Sequence, residues 1–158
     1  MAMSTLRQFV EHVAKNVSRL FDKQGHLLPM YHAIDANGNE VIFVSPSHDK
    51  DRALAMARQS LADMGATRVA YIDEAWVIDD PEGLADIDKI EREGVRRQPG
   101  RKEAIIISVE DATEGLILAR REIIRHGNRA ILGKLMIEEH GHVEGRMVGL
   151  LPAPARKH

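Results

Sequence analysis

A stripe of apolar side chains, Leu6, Phe9, Val10, Val13, Val17, Leu20 and Phe21, recurs at helical spacing near the start of the chain. Arg7, Glu11, Lys15 and Arg19 keep mainly to the opposite side. Such a helix has little stability alone in water and must lay its stripe on a second apolar surface, which the rest of the chain must supply. Thr5 followed three residues later by Gln8 forms a capping box, and Gly25 is a natural stop. The spacing predicts a helix over residues 5–22.

The partner surface reads as a sheet. Apolar runs over residues 27–34 and 40–44 are separated by Asp35-Ala36-Asn37-Gly38-Asn39, whose Asn-Gly pair supports a tight reversal. Ser45-Pro46-Ser47 breaks the second run, and Ser47 is a good N-cap for a second helix. Leu54, Ala57, Leu61 and Met64 give that helix its buried seam, and Gly65 ends it. A strand follows over 68–78, then a long stretch of weak pattern after Asp79-Asp80-Pro81 in which Leu84, Ile87 and Ile90 could carry a short helical turn. Further strands are expected over 104–109, 116–125, 129–137 and 143–151, with His126-Gly127-Asn128 as a hairpin turn. Leu116, Ile117, Ala119, Ile123 and Ile124 also fit one face of a helix; the turn after them favours a strand. Hairpin connections dominate. The expectation is therefore an α+β fold, a mostly antiparallel sheet of five to seven strands with two main helices packed on one face. Residues 1–151 would form a single domain, and 152–158 a flexible tail.

The 158 residues match the size of one ordinary domain, and 44% hydrophobic with 29% charged is a globular mixture. With 22 Lys and Arg against 24 Asp and Glu, the net charge of −2 provides no global field to draw the chain onto nucleic acid or an anionic bilayer. Cysteine is absent, so thiol nucleophiles and thiolate metal sites are excluded, and a reducing compartment fits best. No apolar signal core or membrane-length segment is present, so a cytoplasmic location is expected.

Groups with chemical potential are few. His140-Gly141-His142 with Glu138 and Glu139 offers nitrogen and oxygen donors suited to zinc, but lacks an evident further ligand and sits at a Gly-containing turn, where solvated polar residues are the commoner outcome. Strand alternation puts Glu74 and Trp76 on one face; the carboxylate could be a desolvated acid or base, or could pair with a cross-strand Arg while Trp76 anchors the core rim. His26 and His32 read as residues satisfying a local hydrogen bond. Acidic residues dominate from Asp73 to Glu93, opposed only by Lys89 and Arg92; Arg96, Arg97, Arg101 and Lys102 follow around Pro99-Gly100. That basic loop could bind phosphate or fold back on the acids as a charge clasp, and the tethered opposite charge favours the clasp. Arg120, Arg121, Arg125 and Arg129 make a second basic cluster. Aromatic residues that could stack on bases are scarce, which disfavours single-strand recognition. Dinucleotide and phosphate-loop glycine motifs, the nucleophile elbow and the His-Glu-x-x-His motif are missing, so no cofactor is expected.

Glu74-Ala75-Trp76, followed by Pro99-Gly100-Arg101-Lys102-Glu103 leading into Ala104-Ile105-Ile106, resembles a loose group of small bacterial and phage-associated proteins in which a Glu-Ala-Trp strand precedes a His-Pro-Asp-Arg-x-Glu loop. Pro99, Arg101 and Glu103 match, whereas Gln98 stands in place of the His and Gly100 in place of the Asp. The resemblance brings no activity with it; it implies that Glu74, Trp76, Arg101 and Glu103 form one constellation. The leading expectation is a non-enzymatic domain acting through a protein partner or as a homodimer. The alternatives are a hydrolase-like enzyme using Glu74, Arg101 and Glu103 or the His140 and His142 pair, and phosphate or nucleic-acid binding through the Arg96–Lys102 loop, with Trp76 as a contact.

Overall fold

The first helix forms as its capping pattern dictates. In a computed structural model, which describes residues 4–78, 89, 92–94, 100–139 and 149–151, helix α1 spans Leu6–Gln24. Thr5 Oγ1 accepts the Gln8 N–H at 3.1 Å, and Gln8 Oε1 accepts the Thr5 N–H at 2.9 Å. Gly25, at φ 74°, closes the far end by donating its N–H to Phe21 O. Leu6, Phe9, Val10, Val13, Ala14, Val17 and Phe21 are all buried.

Strands β1 (Met30–Ile34) and β2 (Glu40–Val44) form the expected antiparallel hairpin, from Met30 opposite Val44 to Ile34 opposite Glu40. Asp35 Oδ1 organises the turn by accepting the N–H groups of Asn37 and Asn39, and Gly38 takes the positive φ. Helix α2 spans Lys50–Asp63. Its N-cap is Asp49, which accepts the Arg52 N–H, rather than Ser47, whose hydroxyl instead accepts the Asp49 N–H. Ser and Asp cap equally well, so composition alone does not choose between them. Met64 lies only half-buried at the helix end, and Ala53 joins Leu54, Ala57 and Leu61 in the seam.

The remaining strands are β3 (Arg68–Ile78), β4 (Arg101–Asp111), β5 (Gly115–His126), β6 (Arg129–Leu132) and β7 (Met136–Glu139). The sheet is wholly antiparallel in the order β2-β1-β3-β4-β5-β6, with β7 also on β5. Residues 115–126 are a strand, not a helix. The run expected as one strand over 129–137 is instead two, β6 and β7, separated by residues 133–135, where the Gly133 N–H reaches Glu122 O. Of the expected turn over 84–93, Lys89, Arg92 and Glu93 are helical; its other residues lie outside those described.

The α+β class and antiparallel sheet stand, but the two helices cover opposite faces. Ala70 and Ile72 of β3 pack with α1, together with Ile105, Ile107, Val109, Ile117 and Ala119. Val69 and Tyr71, which alternate with them, pack with Tyr31, Ala33 and the α2 seam. The cause is visible in Val69-Ala70-Tyr71-Ile72 and Ala104–Val109: strands apolar at nearly every position are two-sided and require cover on both faces.

Two polar devices fasten the layers. Arg68, only 2% exposed, donates Nε to Asp111 Oδ2 at 2.7 Å, Nη1 to Ser4 O and Nη2 to Glu114, with its guanidinium 5.4 Å from the Phe9 ring centroid. On the α2 side, residues 149–151 are not a strand. Glu110 accepts the N–H groups of both Leu150 and Leu151, whose side chains are buried with the α2 seam. The earlier part of the expected strand over 143–151 lies outside the described residues. Among the described residues, no helix is long and apolar enough to cross a membrane.

Candidate functional site

Helix α2 is short. It covers β1 and the beginning of β3, and beside its N-terminus the sheet floors a cavity of about 590 Å³. Tyr31, Tyr71, Ser108 and Leu118 stand opposite one another in register across β1, β3, β4 and β5, and so form one row of that floor. Asp73 with Ile106 forms the next row, and Ala75 the one beyond. Leu28, Pro29, Val44 and Ser45 line it from the strand ends, and Ser47, His48, Lys50 and Ala53 from the start of α2. Leu28 and Val44 are 60% and 55% exposed, so apolar surface faces water there.

The floor is rigid. Tyr31 stacks on Phe43 with centroids 4.9 Å apart and tilts against Tyr71 at 5.1 Å. Tyr71 donates its hydroxyl to Asp73 Oδ2 at 3.0 Å, and Asp73 Oδ1 accepts the Glu74 N–H. Burial, reinforced by the Asp73 charge, raises the pKa of both Tyr71 and Tyr31, so both phenols remain neutral hydrogen-bond donors. The Asp73 carboxylate has four lone-pair sites and accepts two hydrogen bonds here, so it can take a further donor.

The four residues that the resemblance groups together lie on the other face of the sheet. Trp76 stands opposite Glu103 and Ile78 opposite Arg101, which puts Glu74, Trp76, Arg101 and Glu103 on the α1 side. The Arg101 guanidinium lies 5.3 Å from the Trp76 ring centroid. Each carboxylate is engaged. Glu74 Oε1 accepts the Leu27 N–H at 2.7 Å, where the chain leaves α1 and enters the hairpin. Glu103 binds Arg125 through two hydrogen bonds, 2.6 and 3.2 Å, and this raises the Arg125 pKa above its ordinary value. The cross-strand arginine pair expected of Glu74 is not made: Glu74, whose register partner is Ile105, holds backbone, and the pair is formed by Glu103 with Arg125 instead.

Lys102 pairs with Val77 and belongs to the opposite face from Arg101. Arg96, Arg97, His140 and His142 lie outside the described residues, as does most of the expected charge clasp. The second basic cluster is divided between faces: Arg121 binds Gly133 O and Ser18 Oγ on the α1 side, while Arg120, opposite Ile106, lies on the other. His26 makes the expected local bond, to Gln24 O at 3.1 Å. His32 does not: its Nε2 is buried without a hydrogen-bond partner.

Sequence reasoning did not single out Tyr31, Tyr71, Asp73 or Ser108 as a group. The available signal was polar or amphipathic residues at alternate positions of β3 and β4, inside otherwise apolar runs. No family model matches the chain, and neither a curated protein nor a solved structure matches it.

Proposed function

We propose that the protein binds a small ligand with an apolar body and one hydrogen-bond-donating end, housed between the start of α2 and the sheet. The observation that carries this is the cavity of about 590 Å³ floored by Tyr31, Tyr71, Asp73 and Ser108. Its volume falls within the range of small-molecule sites, roughly 300–1,000 Å³, and a mainly apolar lining with a few placed polar groups is their usual chemistry. Burial of the apolar body against Ile106 and Leu118 supplies the affinity, and Asp73 fixes the orientation.

The test uses anilinonaphthalenesulfonate as an apolar fluorescent probe. Wild type binds it saturably with one-to-one stoichiometry, and Ala75→Trp, which fills the cavity from the floor, abolishes that binding while the near-UV circular dichroism retains a folded signature. Absence of saturable binding, or equal binding by folded Ala75→Trp, overturns the proposal.

A second proposal, self-association, is favoured by β2. It ends the strand order and carries Ile42 and Val44 at 52% and 55% exposure, without a Lys or Pro to blunt the edge. Two copies of β2 pairing antiparallel about a two-fold axis would satisfy each other's edge groups and give an isologous homodimer.

A further inference from the structure

The orphaned nitrogen of His32 faces a small cluster on the α1 side, away from the cavity. His12 reaches down from α1, His32 stands on β1 and Glu40 opens β2. His12 Nε2 lies 2.7 Å and His32 Nε2 3.6 Å from the same atom, Glu40 Oε1, and one donor atom from each residue falls within 4.8 Å of the others. The two imidazoles meet edge to face, centroids 5.7 Å apart, and the Phe9 ring sets the other side of His32 at 5.4 Å. Asn16 Nδ2 is 3.4 Å from His12 Nε2.

The close contact between His12 and Glu40 leaves His32 Nε2 beyond hydrogen-bond distance, 3.6 Å from the same oxygen. His32 is 2% exposed, and a buried ring nitrogen without a partner is unfavourable unless its lone pair is used. Zinc held by His nitrogen and carboxylate oxygen at about 2.0–2.2 Å in a tetrahedron needs its donors roughly 3.4 Å apart. Glu40 Oε1 lies 2.7 and 3.6 Å from the two ring nitrogens, around that spacing, and the half-exposed His12 and Glu40 leave an open approach for the ion.

We propose that His12, His32 and Glu40 bind one zinc-class divalent cation, with water in the fourth position beside Asn16, and that the ion ties α1 to the β1–β2 hairpin. Imidazole with carboxylate suits zinc and its transition-metal neighbours better than magnesium or calcium, which prefer all-oxygen shells. The donors lie on three successive elements, α1, β1 and β2, so binding would raise the stability of the fold.

The test takes the full chain stripped with a chelator and titrated with zinc chloride alone, then with cobalt(II) as a spectroscopic reporter. The expected results are one zinc per chain, a raised unfolding temperature and visible cobalt bands of a four-coordinate site. His12→Gln and Glu40→Gln alter half-exposed side chains, and each weakens binding by more than about tenfold. The double variant His140→Ala/His142→Ala binds as wild type. Failure to bind zinc, or binding unchanged by His12→Gln and Glu40→Gln, or binding lost only in the double variant, overturns the proposal.

Discussion

Asp111 shows how much one side chain can hold together. Its Oδ2 takes the Arg68 Nε–H; its Oδ1 accepts the N–H groups of Thr113 and Glu114 and the Thr113 hydroxyl, shaping the turn between β4 and β5. Burial alone would raise its pKa, but these donors together outweigh burial and hold it below the ordinary carboxylate value. A depressed folded value means that the ionised form stabilises the fold above the unfolded pKa of about 3.9, and that this contribution is lost as pH falls through the folded value. Asp111→Ala, which leaves the Arg68 charge buried, should lower stability by about 3–5 kcal/mol in urea denaturation at neutral pH. Its acid-unfolding curve should lose steepness at the lowest pH; a loss under about 1 kcal/mol would show that Glu114 and Ser4 suffice for Arg68. None of this was legible in the sequence. No local pattern marks Arg68 or Asp111, because their meeting depends on the β3–β4 register, and no tight turn between those strands announces it.

Elements were read best where local chemistry decides them. The α1 stripe and its capping box lie within a few residues of one another, and the helix formed as expected, within two residues at its C-terminal end. Phe21→Ala should destabilise the protein by about 3–5 kcal/mol through the cavity left against the sheet. Thr5→Ala should lower stability by about 1 kcal/mol through loss of the cap. If equilibrium unfolding gave equal losses for both, the premise that sheet burial rather than local propensity stabilises α1 would fail. The β5 segment was ambiguous for a plain reason: Ile117, Ala119 and Ile123 satisfy a strand face, while Leu116, Ile117, Ala119, Ile123 and Ile124 satisfy a helical one. Pairing with β4 and β7, which a single segment does not encode, decides for the strand. At α2, two good capping residues lay two positions apart, and Asp49 prevailed over Ser47.

For the whole molecule, the antiparallel α+β plan was legible from hairpin signals, but the placement of α2 was not taken from them. The doubly apolar β3 and β4 carried that information, since a strand solvated on one face would alternate with polar residues. The cavity and the imidazole cluster were beyond reach for another reason. Each gathers residues from separate elements, and neither Tyr31 with Ser108 nor His12 with Glu40 has a local pattern that marks it. The exposed edge leads to a prediction at this scale: light scattering should find a dimer, and Ile42→Lys should render it monomeric without lowering the unfolding temperature beyond the effect of dissociation. A wild-type monomer at all concentrations would end that proposal. The Glu110 clip on Leu150 and Leu151 has a consequence for biogenesis. The core of the α1 layer is drawn entirely from residues that precede Leu150, whereas the α2 layer, which flanks the cavity, is complete only once Leu150 and Leu151 have been synthesised.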